Sequence, residues 1–319
     1  MQLTDSQIAA IARDFYLNGL NIEELSHKYD LSRYLIAKSL KDARDKQIVQ
    51  ISINDDDMRR NSELEYYFRQ IFDLKEAYIL RKGSTKTEDA EILSRFVANK
   101  LQHMLREVNN VGLTWGTTSM DIIQNFQHEN LPNLTFVQLL GIATETGHRK
   151  NPLAQTAAYK FNASFQELPA PLYCANPLTI QYLKQEPMFI NLKKYYNNLD
   201  MLLTGLGTFQ SIEENKDLSM QYSSDLFKNI DTSKIAGFIL GRPYTVEGKI
   251  LDNLEPYICG IDLAELAKVP VRFIVEKSQF KSTAVLGALN SGLITHLAIT
   301  EGIANRILQK IGTTSALHK

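Results

Sequence analysis

The sequence predicts an α/β chain in parts: a winged helix-turn-helix unit over residues 1–53, a linker and helix over 54–75, and a doubly wound, Rossmann-like domain over 76–319. Three observations predict it. Two short amphipathic segments flank a tight turn between Ile22 and Leu40. The acidic run Asn54-Asp55-Asp56-Asp57 then breaks the apolar pattern. From Glu76 onward, short apolar runs alternate with helical stretches, the pattern of a parallel sheet covered on both faces.

The first helix spans Thr4 to Leu17, with Ile8, Ile11, Ala12 and Phe15 at helical spacing, and Gly19 ends it. Asn21 and Ser32 stand where N-caps are needed for the next two helices, because a short side-chain oxygen accepts from the first free backbone N–H groups. Ile22, Leu25, Leu31, Ile36 and Leu40 give those helices one shared core. The third helix is left with Arg33, Tyr34, Lys38, Lys41 and Arg44 outside. Cations and a polar aromatic on one helix face are what a DNA major groove requires, and any amphipathic helix pair can also look this way. Residues 1–53 hold seven Lys/Arg and seven Asp/Glu, so the unit is neutral as a whole. Between Arg33 and Lys46, five cations face only Asp42 and Asp45, which puts the positive charge on the candidate reading helix. The alternation Ile48-Val49-Gln50-Ile51-Ser52-Ile53 reads as a short wing strand.

After the acidic run, Leu64, Tyr67, Phe68, Ile71 and Phe72 make an apolar stripe. It would either pair with a second protomer or pack on its own large domain. Candidate strands follow at 77–80, 110–115, 134–140, 201–206, 235–240, 271–275 and 297–300, with helices at 88–108, 117–126, 280–289 and 302–311 among them.

Composition narrows the function classes. At 44% hydrophobic and 22% charged residues the chain reads as an ordinary globular protein. No run of 18 apolar residues offers a membrane span, and Met1-Gln2-Leu3-Thr4-Asp5 lacks the basic and apolar regions of a signal peptide. Cys174 and Cys259 have no local partner, which fits a reducing, cytoplasmic setting. The net charge of −1 provides no overall attraction to nucleic acid, so DNA affinity must be local and presented more than once. The six histidines are scattered and no cysteine has zinc spacing, so neither a metal nor a cofactor is expected.

The chemistry concentrates in Gly112-Leu113-Thr114-Trp115-Gly116-Thr117-Thr118-Ser119. A strand ends, Gly116 lets the backbone approach a ligand, and a helix opens with hydroxyl residues. Free N–H groups and the positive end of a helix dipole favour a phosphate there, the alternative being that Thr117 only caps the helix. Lys281-Ser282-Thr283 opens another helix, and Gly205-Leu206-Gly207-Thr208 is a turn after a strand. In a doubly wound sheet all such turns share one edge, where ligands bind. Arg149, Lys150 and Asn151 follow the strand that includes Gln138 and could join that edge.

Taken in order, these segments resemble the SorC/DeoR-type sugar-responsive transcriptional regulators of bacteria over nearly the whole chain. Leu31 to Leu40 resembles their reading helix, and Gly112 to Ser119 their phosphate loop. Phe136 to Gly141, Leu168 to Leu172, Gly205 to Gly207 and Lys281 to Leu289 follow in the family's order. The resemblance implies an effector domain related to sugar-phosphate isomerases and deaminases. It also implies dimers or tetramers on operator DNA, and a phosphorylated sugar that alters DNA binding. On the outer face of the reading helix Arg33, Tyr34, Lys38 and Lys41 would meet DNA, with Ser32 anchoring its start near a phosphate; the effector residues are carried over by position. Gly116, Thr117 and Thr118 would hold phosphate, with Gln138, Arg149 and Lys281 lining the pocket or meeting a second anionic group. The chain departs from the family at Glu276-Lys277-Ser278-Gln279-Phe280, where paired glycines are usual, and at Thr245 and Thr300, where aspartates are common. Leu140 occupies the place of a lysine able to form a Schiff base, which excludes imine chemistry there.

Two rival functions stand beside this one. An isomerase or deaminase needs a placed carboxylate and usually a histidine, yet the turn after Gly207 continues Thr208-Phe209-Gln210-Ser211. A constitutive DNA-binding oligomer with a ligand-silent effector domain would fit the lost acidic positions.

Overall fold

The computed structural model describes residues 3–46, 48–49, 59–83, 85–142, 152–214, 226–228 and 230–317. Its contacts divide the chain into two compact units, residues 1–55 and 56–319. Among the described residues, no helix is long and apolar enough to cross a membrane.

The small unit is a three-helix cluster: α1 (Asp5–Tyr16), α2 (Ile22–Tyr29) and α3 (Arg33–Asp45). Local chemistry sets each boundary. Thr4 and Gln7 form a reciprocal capping box on α1, and Asn21 and Glu24 form one on α2. Asp30 takes a left-handed conformation (φ 53°) that ends α2, and the Ser32 hydroxyl accepts from Leu35 N to start α3. Ile8, Ile11, Ala12, Leu25, Ile36, Leu40 and Ala43 are buried together. Asp14 joins the helices: it pairs with Lys28 at 2.7 Å and accepts from Tyr29 at 2.6 Å and Asn18 at 2.8 Å. Those three donors, Lys28 foremost, hold its carboxyl down to about 2. The expected wing strand is corrected at its start, because Ile48 and Val49 form a bend with Val49 N bonded back to Ala43 O. Its remainder, 50–53, lies outside the described residues.

The large unit holds a seven-stranded, fully parallel sheet in the order β1-β9-β8-β5-β2-β3-β4. The strands are β1 (Glu76–Leu80), β2 (Asn110–Leu113), β3 (Thr135–Gln138), β4 (Ser164–Gln166), β5 (Met201–Thr204), β8 (Val271–Glu276) and β9 (His296–Thr300). Alternate side chains feed two cores, as period two requires. Val137, Leu202, Ile274, Leu297 and Ile299 join one face; Phe136, Met201, Leu203, Phe273, Val275 and Ala298 join the other. The second face is covered by α5 (Lys86–Leu105), α6 (Thr117–Asn125) and α7 (Leu153–Phe161). The apolar run 235–240 does not enter this sheet. It forms β6 (Gly237–Ile239), which pairs antiparallel with β7 (Arg242–Tyr244).

The stripe after the acidic run forms α4 (Ser62–Phe72). Phe68 is fully buried in the large unit's core, with Leu64 and Phe72 packed beside it, while Tyr66, Tyr67 and Ile71 stay exposed. Residues 59–61 run antiparallel beside the end of β1, with Asn61 N bonded to Ile79 O at 2.8 Å and Arg81 N to Arg59 O at 2.7 Å.

Candidate functional site

Sheet topology places the site. From β2 the chain winds outward through β3 and β4, then crosses back to β5 on the other side of β2. The loops leaving β2 and β5 therefore diverge, and a crevice opens between them at the carboxyl ends of the strands. A cavity of about 440 Å³ lies there. Its lining includes Thr114 to Ser119 after β2, Thr204 to Thr208 after β5, Leu240 and Gly241 of the β6–β7 hairpin, and Lys281.

Four sequence-predicted residues, Gly116, Thr117, Thr118 and Lys281, meet at this cavity. Gly116 has φ 150° and is the N-cap of α6, with no side-chain capping bond. A Cβ there would meet no atom within 4 Å, so backbone conformation, and not crowding, calls for glycine. Thr117 does not cap the helix. Among the described residues no side chain caps the start of α6, so its N–H groups face the cavity with two threonine hydroxyls beside them. Behind them Thr114 Oγ1 and Thr204 Oγ1 bond at 2.9 Å and tie the two loops together.

Gln138 is placed differently. It lines a neighbouring cavity of about 410 Å³, with Trp115, Met120 and Asp121. Its side-chain amide is spent on the backbone: Nε2 donates to Leu140 O at 2.6 Å and Oε1 accepts from Leu168 N at 3.3 Å. It ties the end of β3 to the next loop and does not reach the Lys281 cavity. Arg149, with Lys150 and Asn151, lies outside the described residues.

Lys281 ends a single turn of 3-10 helix, Gln279–Lys281, before the helix Ser282–Asn290. Its ammonium donates to Leu206 O at 2.8 Å and to Glu276 Oε2 at 3.0 Å. Glu276 escaped the sequence reading. The available signal was a carboxylate following the apolar run Phe273-Ile274-Val275 at the end of the strand Val271–Glu276, five residues before Lys281. Tyr173 was also missed: it lines the cavity, donates to Gly241 O at 2.6 Å, and burial pushes its phenol well up.

In the small unit, Ser32, Arg33, Tyr34, Lys38 and Lys41 are all exposed on or just before α3. The buried side of that helix is Ile36, Ser39, Leu40 and Ala43, so Lys38 and Lys41 lie on the opposite side and Arg33 at its edge. Arg33 is ion-paired with Glu23 of α2.

Fold and cavity define a two-part chain: a helix-turn-helix unit and a ligand-binding α/β domain with its pocket at the switch point of a parallel sheet. Residues 56–309 match the family model described as "Putative sugar-binding domain". The chain belongs to this family, that of the SorC/DeoR-type regulators. It is 25% identical over 308 residues to the sorbitol operon regulator of Klebsiella pneumoniae, spanning 95% of this chain and 97% of that one. It is 23% identical over 310 residues to the transcriptional regulator LsrR of Escherichia coli K12, spanning 96% and 95%. The crystal structure of full-length SorC from Klebsiella pneumoniae superposes with a TM-score of 0.79 at 23% identity, covering 97% of this chain and all of that one. A transcriptional regulator from Streptococcus pneumoniae TIGR4 gives 0.73 at 24% identity, covering 79% and 97%.

Proposed function

We propose that the chain is a transcriptional regulator that binds operator DNA through α3 and senses a phosphorylated sugar at the start of α6. The observation that carries the effector half is the uncapped start of α6 at Gly116, facing a cavity that also holds Thr117, Thr118 and Lys281. A phosphate dianion gains from such a helix start, while a neutral sugar does not. Ser32, Arg33, Tyr34, Lys38 and Lys41 form the DNA face, and their common exposure supports that reading. Because the small unit carries no net positive charge, binding to two half-sites by a dimer or tetramer supplies the missing affinity. Tyr66, Tyr67 and Ile71 of α4 are an exposed surface available for such pairing.

A regulator fits this cavity better than an enzyme. Among its described lining residues there is no carboxylate and no histidine to move a proton beside a carbonyl. Calorimetry tests the pocket. A sugar phosphate should bind at least tenfold more tightly than the free sugar, and Thr117→Val should weaken the phosphate about tenfold by removing one charge-assisted hydrogen bond. Equal affinity for sugar and phosphate, or an unaffected Thr117→Val, places the ligand elsewhere.

A further inference from the structure

Resting on the pocket and the DNA face proposed above, we propose that the two are coupled through the hydrogen bond between Glu301 and Asn61. Glu301 opens the last helix, Glu301–Leu317, directly after β9. Its Oε1 accepts from Asn61 Nδ2 at 2.6 Å and its Oε2 from Lys82 N at 3.4 Å. Asn61 is the N-cap of α4: its Oδ1 accepts from Leu64 N at 3.2 Å, and its backbone N–H donates to Ile79 O. It ends residues 59–61, the first described stretch of the large unit. A displacement of Glu301 therefore pulls on the part of the large unit from which the chain leads back to the small one.

The path starts at Lys281, which lines the cavity. Its ammonium donates to Leu206 O at 2.8 Å and to Glu276 Oε2 at 3.0 Å. Glu276 Oε1 accepts from the backbone N–H groups of Lys277 and Ser278, both at 3.0 Å, so that carboxylate is pinned. A ligand oxygen at Lys281 competes with the Leu206 carbonyl and draws the ammonium toward the cavity. Lys281 ends the single 3-10 turn Gln279–Lys281. Such a turn has poorer hydrogen-bond geometry than an α-helix, so it is the part that gives. The turn rests on the last helix at two points. Gln279 O accepts from Arg306 Nη1 at 3.1 Å. The Gln279 side chain lies so close over Gly302 that a Cβ there would sit 2.1 Å from its Nε2. A shift of the turn is passed to Arg306 and Gly302, and so to Glu301 beside it.

The test uses the full chain and a DNA duplex that the wild-type chain selects from random sequence. The probes are glucose 6-phosphate, fructose 6-phosphate, sorbitol 6-phosphate and fructose 1,6-bisphosphate. Fluorescence anisotropy should show a probe changing wild-type affinity for the duplex about tenfold. Asn61→Asp keeps a capping oxygen for Leu64 N but sets a carboxylate against Glu301. The probe's effect on DNA affinity should then fall to about twofold or less, while calorimetry and anisotropy show that probe and duplex each still bind. Adding Glu301→Gln restores the bond in the reverse sense: the glutamine amide donates to the new carboxylate and its oxygen still accepts from Lys82 N. Most of the tenfold response should return. Melting curves separate loss of fold from loss of response. Should Asn61→Asp fail to fold, Glu301→Ala removes the acceptor without adding a charge and takes its place in the comparison. A folded single variant that keeps the full response overturns the inference and leaves the pocket reading intact, as does a folded double variant that does not regain it. If no probe binds, or none changes wild-type DNA affinity, the sensing function itself fails and the inference falls with it.

Discussion

Arg242 is among the largest fully buried side chains, and it carries a charge. Its guanidinium bonds Glu255 through two nitrogens, at 2.6 and 2.9 Å, and also the carbonyls of Leu240 at 2.9 Å and Ile261 at 2.7 Å. Leu240 needs that hold. It and Gly241 both have positive φ, 46° and 77°, as a two-residue hairpin turn demands, and a leucine there costs about 1 kcal/mol or more. Arg242→Met should destabilise the fold by about 1–3 kcal/mol, because it leaves the Leu240 and Ile261 carbonyls without their donor, while the part-exposed Glu255 carboxylate can turn to water. Urea unfolding measures it, and a loss below about 1 kcal/mol would show the pair to be dispensable. His296 makes a second residue-scale prediction. It stacks on Phe273, and burial, reinforced by Lys75 and Arg272, pushes its pKa down to about 4. The unfolded chain therefore binds a proton that the folded chain refuses between about pH 6.5 and 4. Stability is full above that window and falls as pH drops through it, by up to about 3 kcal/mol from this group. His296→Gln should flatten that part of the pH–stability curve; an unchanged slope would assign it to other groups.

At the scale of elements, α3 and α6 contrast in how they start. Ser32 caps α3 with its own hydroxyl, which takes one of that helix start's free N–H groups, that of Leu35. Gly116 supplies no side chain at the start of α6, and no side-chain capping bond is made there. On the proposed reading, the exposed side of α3 acts through its side chains. Charge reversal at both Lys38 and Lys41 should abolish operator binding, and single alanines should lower the salt slope by about one per lost phosphate contact. Intact operator affinity after the double reversal would mean that another surface reads DNA.

At the scale of the whole molecule, the two units have separate cores and carry separate chemistry. A lesion in one pocket should then spare the intrinsic binding of the other unit. Thr117→Val should keep wild-type operator affinity without ligand, and the Lys38/Lys41 reversal should keep wild-type affinity for the sugar phosphate. Fluorescence anisotropy with operator and calorimetry with ligand, run on both variants, provide the four values. A pocket variant that loses ligand-free operator binding would show that the units are not independent.

Much of this chain was legible as sequence because its signals are local. Caps at Asn21 and Ser32, the apolar spacing of the first three helices, and the strand–glycine–hydroxyl order at Gly112–Ser119 are each set by neighbours within a few residues. Such neighbours interact whatever the rest of the chain does. Tertiary structure decided what depends on long-range pairing. Periodicity alone made 235–240 look like another sheet strand, but its hydrogen bonds go to residues 242–244 instead. The stripe on α4 was ambiguous because the same apolar face serves a core or a partner; packing buried Phe68 and left Tyr67 and Ile71 exposed. Gln138 looked available until the fold brought Leu168 within reach of its amide. Glu276 and Lys281 could both be read in the chain, but not that they would pair. A turn had to bring the lysine back over the strand end, where a buried carboxylate requires a cation to offset its desolvation.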